Sequence, residues 1–400
     1  MTATVDEPMA VGEAPPTWRT DRRLRDLVLG FLALKVGFVI VAYLAGHLLP
    51  LDYTLIQVNG AYPISGVPDW FRAFATWDTG NYLSLAEKGY GQGPGTDTFF
   101  PLYPFLIYEL KPLFLGSTLV SAWVIANAVS LLVPVYMYKL GCLFWSREKA
   151  FRSVVLLLAF PTAFFLSTAY SESLFLALVL MAFYFLFTEK VWAASACCLL
   201  VPLTRPPGLM FAVPVLVVAL SAAFAKGVDR SEAVRHAVRT YWLPVAAAVA
   251  GVLVYFAFSA RSIGSPLAGL QAQSYYINGN SLGNVLKPIA WFQDNFLDAH
   301  LVMSGYINGW PERIAFLVFL PVLVGVIVTQ NKALATFALL YFLVPAMSGH
   351  LMSYTRFVLV VFPLFFFLGT RKRWVIYLAA PMFCVQLMYF IMHVNAYWVA

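Results

Sequence analysis

Long apolar runs separated by short polar segments recur along almost the whole chain. Several runs are long enough for an α-helix to cross about 30 Å of hydrocarbon. The pattern predicts an all-α polytopic membrane protein with about eleven transmembrane helices. We expect spans near residues 27–49, 118–138, 151–169, 173–188, 191–204, 208–225, 240–260, 314–329, 333–347, 357–369 and 374–394.

The composition supports the same class of protein. Of the 400 residues, 61% are hydrophobic and 11% are charged, and the mean hydropathy is +0.77, whereas a soluble domain carries about 25% charged residues. The net charge of +7 comes from basic residues in short loops between apolar runs. Such a distribution reflects membrane topology, so we expect no nucleic-acid partner.

Lysine and arginine divide unevenly between the two sets of loops. Seventeen basic residues fall in one set and eight in the other, with Lys35 inside the first span. Because loops rich in basic residues are cytoplasmic, the N-terminus is expected inside. The two longest segments between spans, 50–117 and 261–313, then lie outside. We expect residues 1–18 to form a disordered cytoplasmic tail and residues 19–400 to form one membrane domain.

A polar island, WDTGNYLSLAEKG at residues 77–89, stands out in this apolar chain. It is predicted to form an interfacial helix that stops at Gly89, since glycine is common just after a helix end. At helical spacing Asp78 and Tyr82 share one face. The following TDTFFPLYPFL contains two prolines, which favours a kinked re-entrant or surface segment over a strict span.

These residues also carry a family resemblance. The series W-D-x-x-x-Y-L-x-x-A-E-x-G-Y, then F-F-P-L-Y-P, resembles the first luminal loop of the PIG-V type mannosyltransferases. That family belongs to the GT-C superfamily of polytopic glycosyltransferases. Three later segments resemble the family in the same order: FPTAFFLSTAYSESLFLAL (160–178), LTRPPGL (203–209) and SYTRFVLVVFPLF (353–365). Residues 261–313 match it less well.

The resemblance implies a reaction and its partners. Mannose, or a similar hexose, would move with inversion from a polyprenyl-phosphate donor to a hydroxyl of a glycolipid or other membrane-associated acceptor, on the non-cytoplasmic face of a lipid bilayer. The family's catalytic acid lies in the first external loop, where Asp78 matches it. This chemistry needs one carboxylate as base and cationic donors for the departing phosphate.

Candidate residues for the remaining roles lie in segments expected on the external side. Arg205 and Arg356 are the expected phosphate binders, with His350 close before Arg356. The expected substrate-positioning residues are Trp77, Tyr82, Glu172, Glu87 and Tyr103.

Most of these candidates also have a simpler structural interpretation. Asp78 is a favoured residue for capping the helix start, and Glu172 in the first turn of a span complements the helix dipole. The two arginines are long enough to reach lipid headgroups. Glu87 would face solvent or pair with Lys88. Tyr82 would belong to an interfacial aromatic belt, and a lone histidine such as His350 is commonly structural.

Metal and cofactor chemistry leaves no signature in the sequence. There is no D-x-D motif and no cluster of histidine and carboxylate residues, so we expect no obligatory metal and no cofactor. The compact loops favour a plasma membrane, with the endoplasmic reticulum as the alternative. A lipid or glycan transporter or flippase is the rival function, and Lys35 is the intramembrane charge that would favour it.

Overall fold

The fold is described from a computed structural model. Every regular element in the described residues is a helix, which confirms the all-α class. In this part of the chain six helices are long and apolar enough to cross a membrane, as expected of a membrane protein: Arg22–Leu48, Thr118–Phe144, Pro206–Ala223, Arg230–Ser262, Trp310–Thr329 and Lys372–Val394. The structure describes residues 16–49, 68–225, 227–275, 279–298 and 309–399.

Two of these six segments are composite, and the remaining helices are shorter. Thr118–Phe144 consists of helices Thr118–Ser130 and Leu132–Phe144, and Pro206–Ala223 consists of a 3₁₀ turn, Pro206–Phe211, followed by helix Ala212–Ala223. The shorter α-helices are Asp69–Arg72, Asp78–Lys88, Pro94–Asp97, Leu102–Leu110, Arg147–Ala159, Glu172–Phe187, Val191–Leu200, Ala268–Gln271, Pro288–Phe292, Lys332–Met347, Tyr354–Val360 and Pro363–Leu368.

The expected count of about eleven full-length spans is not reached among the described residues. Prolines explain why two of the predicted spans, 151–169 and 357–369, are not single long helices. Helix Arg147–Ala159 ends because Phe160, which precedes Pro161, adopts the extended conformation that a following proline favours. The run 357–369 is divided at Val361, and Pro363 cannot donate a backbone hydrogen bond to the preceding turn. Three further apolar helices, 172–187, 191–203 and 332–347, are shorter than a full span.

Helix Glu172–Phe187 lies at the centre of the hydrophobic core. Nearly all its side chains are buried, on every face. A helix that is apolar all round is stable only where neighbours cover it on all sides. Its neighbours include Thr118–Ser130, Leu132–Phe144 and Val191–Leu200. The first residue of this central helix, Glu172, is therefore held in a rigid frame at one end of the molecule.

The loops segregate to two ends of the helical bundle. At the basic-rich end, Arg147 forms an ion pair with Asp21 at 2.9 Å and His236 contacts Glu189 at 3.1 Å. Arg152 also donates to the carbonyl of Gly369 at 3.0 Å. These contacts join the loops that the sequence assigns to one side.

Parts of the expected external loops fall outside the described residues. These parts are 50–67 in the first loop, and 276–278 and 299–308 in the second. Most of the expected tail, residues 1–15, also falls outside, so its disorder stays a prediction. The described part of the first loop is a series of short helices rather than a span, in agreement with the prolines of TDTFFPLYPFL.

The segregation of loops leads to a test of orientation. In a background without native cysteines, single cysteines at Gln92 and Ser281, both exposed, should react with a membrane-impermeant thiol reagent added to intact cells. A cysteine at the exposed Ser231 should react only after the membrane is opened, because it lies among the basic-rich loops. Labelling of Ser231 but not of Gln92 in intact cells would reverse the predicted orientation.

Candidate functional site

The polar island forms helix Asp78–Lys88, which ends at Gly89 as the sequence predicts. Gly89 has φ 77°, a conformation that glycine adopts without steric cost. The N-cap position is occupied by Trp77, and it makes no side-chain cap hydrogen bond. Thr79 ties the helix start to the core through its hydroxyl, which donates to the carbonyl of Ala169 at 3.1 Å. The Asp78 carboxylate is therefore directed to another partner.

Four charged side chains from four separate segments meet at this end of the molecule, and we call them the ion cluster: Asp78, Glu172, Arg205 and Arg356. Arg356 Nη2 donates to Asp78 Oδ2 at 2.8 Å. The same guanidinium donates to Glu172 Oε1 from Nε at 2.9 Å and from Nη2 at 2.6 Å. Arg205 Nη1 forms an ion pair with Glu172 Oε1 as well. One carboxylate thus links both arginines.

Solvent exposure separates the two acids of the ion cluster. The Glu172 side chain is 0% exposed, whereas that of Asp78 is 22% exposed. A fully buried carboxylate between two arginines serves to hold those arginines, because removing either charge would leave the other unpaired. Asp78 is the acid of the cluster that a ligand can reach.

Aromatic rings and a second buried acid fix Arg356. The centre of its guanidinium lies 4.7 Å from the ring of Phe165 and 4.8 Å from that of Tyr170, within cation–π range. The preceding residue, Thr355, donates to the buried Glu312 from its backbone N–H at 2.6 Å and from its hydroxyl at 3.0 Å. Glu312 gave no signal in the sequence, where it is one acid at the start of an apolar run.

The segment PLTRPPG positions Arg205. It forms two 3₁₀ turns, Val201–Leu203 and Pro206–Phe211, on either side of Thr204 and Arg205. The two turns pack so closely that a Cβ atom at Gly208 would collide with the carbonyl group of Val201. Glycine therefore permits the sharp reversal that brings Arg205 to Glu172.

A cavity of about 260 Å³ opens beside the ion cluster. Its charged wall consists of Asp78, Arg205 and Arg356. Neutral polar and apolar residues complete it. The polar ones are Tyr82, Thr98, Thr204, Gln273, Asn280, Ser281, Ser348 and Ser353, and the apolar ones include Leu209, Met210, Leu270, Met352, Phe357 and Trp398.

Tyr82 lines this cavity, and Tyr103 supports it from behind. The Tyr82 hydroxyl is 2.6 Å from Ser171 Oγ, and its ring meets that of Tyr103 edge-on at 5.0 Å. Tyr103 is fully buried and donates to the carbonyl of Ala122 at 2.8 Å. Burial raises the pKa of the Tyr82 phenol well above its usual value, so the hydroxyl stays protonated. Tyr82 can donate or accept a hydrogen bond but cannot act as a base.

Three other candidates are placed away from the cavity wall, as far as the described residues extend. Glu87 is exposed and accepts a hydrogen bond from the Thr118 hydroxyl at 2.8 Å. His350 lies in the turn before Arg356, and burial lowers the pKa of its imidazole below the usual value. It is therefore neutral at pH 7 and adds no positive charge. Trp77 packs behind Asp78 against Trp398, and Trp398 is the indole that lines the cavity.

Apart from Tyr82, the neutral polar lining residues and Trp398 were not predicted from the sequence. Gln273 donates to the carbonyl of Thr98 at 3.0 Å, and Ser348 Oγ lies 3.3 Å from Asn280 Oδ1. These residues come from distant segments without a recognisable motif, so only folding brings them together. Within the described ranges no three His, Cys, Asp or Glu side chains form a group able to hold a metal. Independence from metal stays a prediction.

The ion cluster leads to a prediction about stability. Glu172→Gln should lower the free energy of unfolding by roughly 3–5 kcal/mol, because it leaves Arg205 and Arg356 without their shared buried counter-charge. Chemical unfolding in detergent measures this change. Glu109→Gln, which alters an exposed acid in helix Leu102–Leu110, should shift the value by less than about 0.5 kcal/mol. Equal stability of the two variants would contradict the anchoring role of Glu172.

Comparison with known proteins supplies no further identification. No protein-family model matches the chain, and no curated protein matches it. The likeness to the PIG-V type mannosyltransferases therefore rests on the sequence segments quoted above. Function has to be argued from the site, because a fold alone does not specify an activity.

Proposed function

We propose that the protein is a membrane glycosyltransferase of the GT-C type. It transfers mannose, or a similar hexose, from a polyprenyl-phosphate donor to an acceptor hydroxyl at the non-cytoplasmic face. The observation that carries the proposal is a part-exposed carboxylate, Asp78, in contact with Arg356 at the wall of a cavity. The same proposal includes the identity of the sugar and the GT-C topology with about eleven crossings. It also includes the plasma-membrane location with a cytoplasmic N-terminus.

The reaction needs one base and a site for the departing phosphate. The acceptor oxygen attacks C1 of the hexose while the bond from C1 to the phosphate oxygen breaks, so that the configuration at C1 inverts. The phosphate leaves with the electron pair, and Asp78 takes the proton of the acceptor hydroxyl. Arg205 and Arg356 bind the phosphate oxygens through their planar guanidinium groups.

The charge balance of the ion cluster suits this step. Two guanidinium and two carboxylate groups together have no formal net charge, so the four side chains are stable beside one another at low dielectric. During transfer the phosphate gains a negative charge, and Asp78 loses its own on taking the proton. Arg356, which contacts Asp78, is then weakly held by that acid at the moment when phosphate charge develops. Positive charge becomes available where the transition state needs it.

The remaining cavity walls suit the other parts of the two substrates. Hydroxyl and amide groups of Thr98, Gln273 and Asn280 match the hydroxyl groups of a sugar ring or a glycolipid acceptor. Leu209, Met210 and Phe357 provide apolar surface for a prenyl chain. A site lined by both polar and apolar groups supports an amphipathic donor.

The transporter alternative depends on Lys35, and the surroundings of that residue favour a structural role. Lys35 Nζ donates to Asn127 Oδ1 at 2.7 Å, to the carbonyl of Leu166 at 2.8 Å and to Ser167 Oγ at 3.3 Å. All three donor positions of the ammonium group are used. Lys35 thus connects the first span to the turn that precedes the central helix.

The base assignment predicts the behaviour of Asp78→Asn. The amide oxygen can still accept from Arg356, and Arg356 keeps Glu172 as its charged partner. Stability should therefore stay near wild type, and donor binding should not weaken. It cannot take the acceptor proton, so turnover should fall at least about a hundredfold. The assay follows radiolabelled polyprenyl-phosphate mannose into membrane lipid. Glu87→Gln is the matched control and should be mild; if it is the inactive variant, the wrong acid has been assigned.

The phosphate assignment predicts the behaviour of Arg205→Lys. Lysine keeps the charge but loses the bidentate fork, so the donor KM should rise about tenfold or more. Arg261→Lys, at an exposed arginine outside the cavity wall, should leave it unchanged. If both variants have the wild-type donor KM, Arg205 does not bind the phosphate.

A further inference from the structure

The segment after the last long helix returns to the cavity. Helix Lys372–Val394 has Asn395 at its C-cap position, and the next residue, Ala396, adopts the left-handed conformation, with φ 64°. Ala396 N–H donates to the carbonyl of His393 at 3.0 Å, and Tyr397 N–H to that of Met392 at 3.0 Å. This pair of bonds is the Schellman motif, which reverses the chain at a helix end. The reversal brings Trp398 to the cavity wall beside Asp78.

Trp398 also supports the residue that precedes Asp78. Its ring meets that of Trp77 edge-on, with centroids 4.2 Å apart and an interplanar angle of 80°. Trp77 has φ 58°, an uncommon conformation for a residue with a side chain. Neither indole N–H has a hydrogen-bond partner among the described residues, so packing holds the pair. The contact with Trp398 therefore helps to keep Trp77 in its strained conformation, and Asp78 in place.

We propose that Trp398 binds the hexose of the donor by stacking in the cavity. This inference rests on the proposed function. A sugar ring has an apolar face of C–H groups, for which an indole provides a large and rigid contact surface. Trp77 was the tryptophan expected from the sequence to position the substrate, but the indole that lines the cavity is that of Trp398.

The position of the ion cluster explains why the donor sugar is the expected occupant. Arg356 contacts Asp78 at 2.8 Å, so the phosphate binder and the base are adjacent. The hexose is covalently attached to the phosphate, and its C1 must lie next to both groups during transfer. Trp398 borders the cavity on the side of Asp78, through its contact with Trp77. A donor with its phosphate on Arg205 and Arg356 would thus place its sugar ring near this indole.

The test compares two lipid ligands in the absence of acceptor. Affinities of the purified protein are measured for polyprenyl-phosphate mannose and for the matching polyprenyl phosphate without sugar. Trp398→Ala should weaken binding of the mannosyl ligand by about tenfold and leave binding of the sugar-free phosphate unchanged, because the arginines remain. Trp398→Phe keeps an aromatic face and should restore most of the lost affinity. Tyr397→Ala changes the neighbouring exposed ring and should affect neither ligand.

The outcomes separate this inference from the proposed function. Equal affinity of wild type and Trp398→Ala for the mannosyl ligand overturns the stacking role and leaves the glycosyltransferase proposal intact. An equal loss for both ligands also overturns it, since that result indicates a structural role for Trp398. If wild type binds neither ligand, both proposals fail.

Discussion

The buried carboxylate of Glu172 is the constraint on which the functional end of this protein depends. A charge with 0% exposure needs a counter-charge, and Glu172 has two, Arg205 and Arg356. Arg356 lies 184 residues further along the chain, so this single acid fixes the relative position of three distant segments. Arg356 in turn contacts Asp78, which brings helix Asp78–Lys88 to the same point.

The central helix makes this arrangement possible. Glu172–Phe187 is buried on all faces, so its first residue cannot shift without disturbing the core around it. Lys35 reinforces the same region from the first span, by donating to the carbonyl of Leu166 at 2.8 Å. A buried cation at one side of the turn and a buried anion at the other each bind partners from more than one segment of the chain. These pairings oppose separation of the helices at the cavity end.

Three of the five described non-glycine residues with positive φ lie near the cavity. Trp77, Ser353 and Ala396 have φ values of 58°, 56° and 64° without being glycine. Each lies within three residues of a cavity-lining side chain: Asp78, Arg356 or Trp398. Strained conformations persist where the surrounding structure over-determines them, and they are frequent at binding and catalytic sites. Here the packing of two tryptophans and the bonds from Thr355 to Glu312 provide that surrounding structure.

The sequence by itself named all four residues of the ion cluster, and it determined the helical membrane class and the polar helix with its end at Gly89. These features are local: apolar length, helical period and glycine position are readable from neighbouring letters. The tertiary structure decided which helices are full-length. It placed Glu172 as an anchor for the two arginines and not at the cavity wall. The tryptophan at the cavity wall is Trp398, where Trp77 was expected. It also revealed Glu312 and the neutral wall of Gln273 and Asn280. Their partners lie far apart in the chain, and the burial that makes a charge or an indole important exists only once the helices pack.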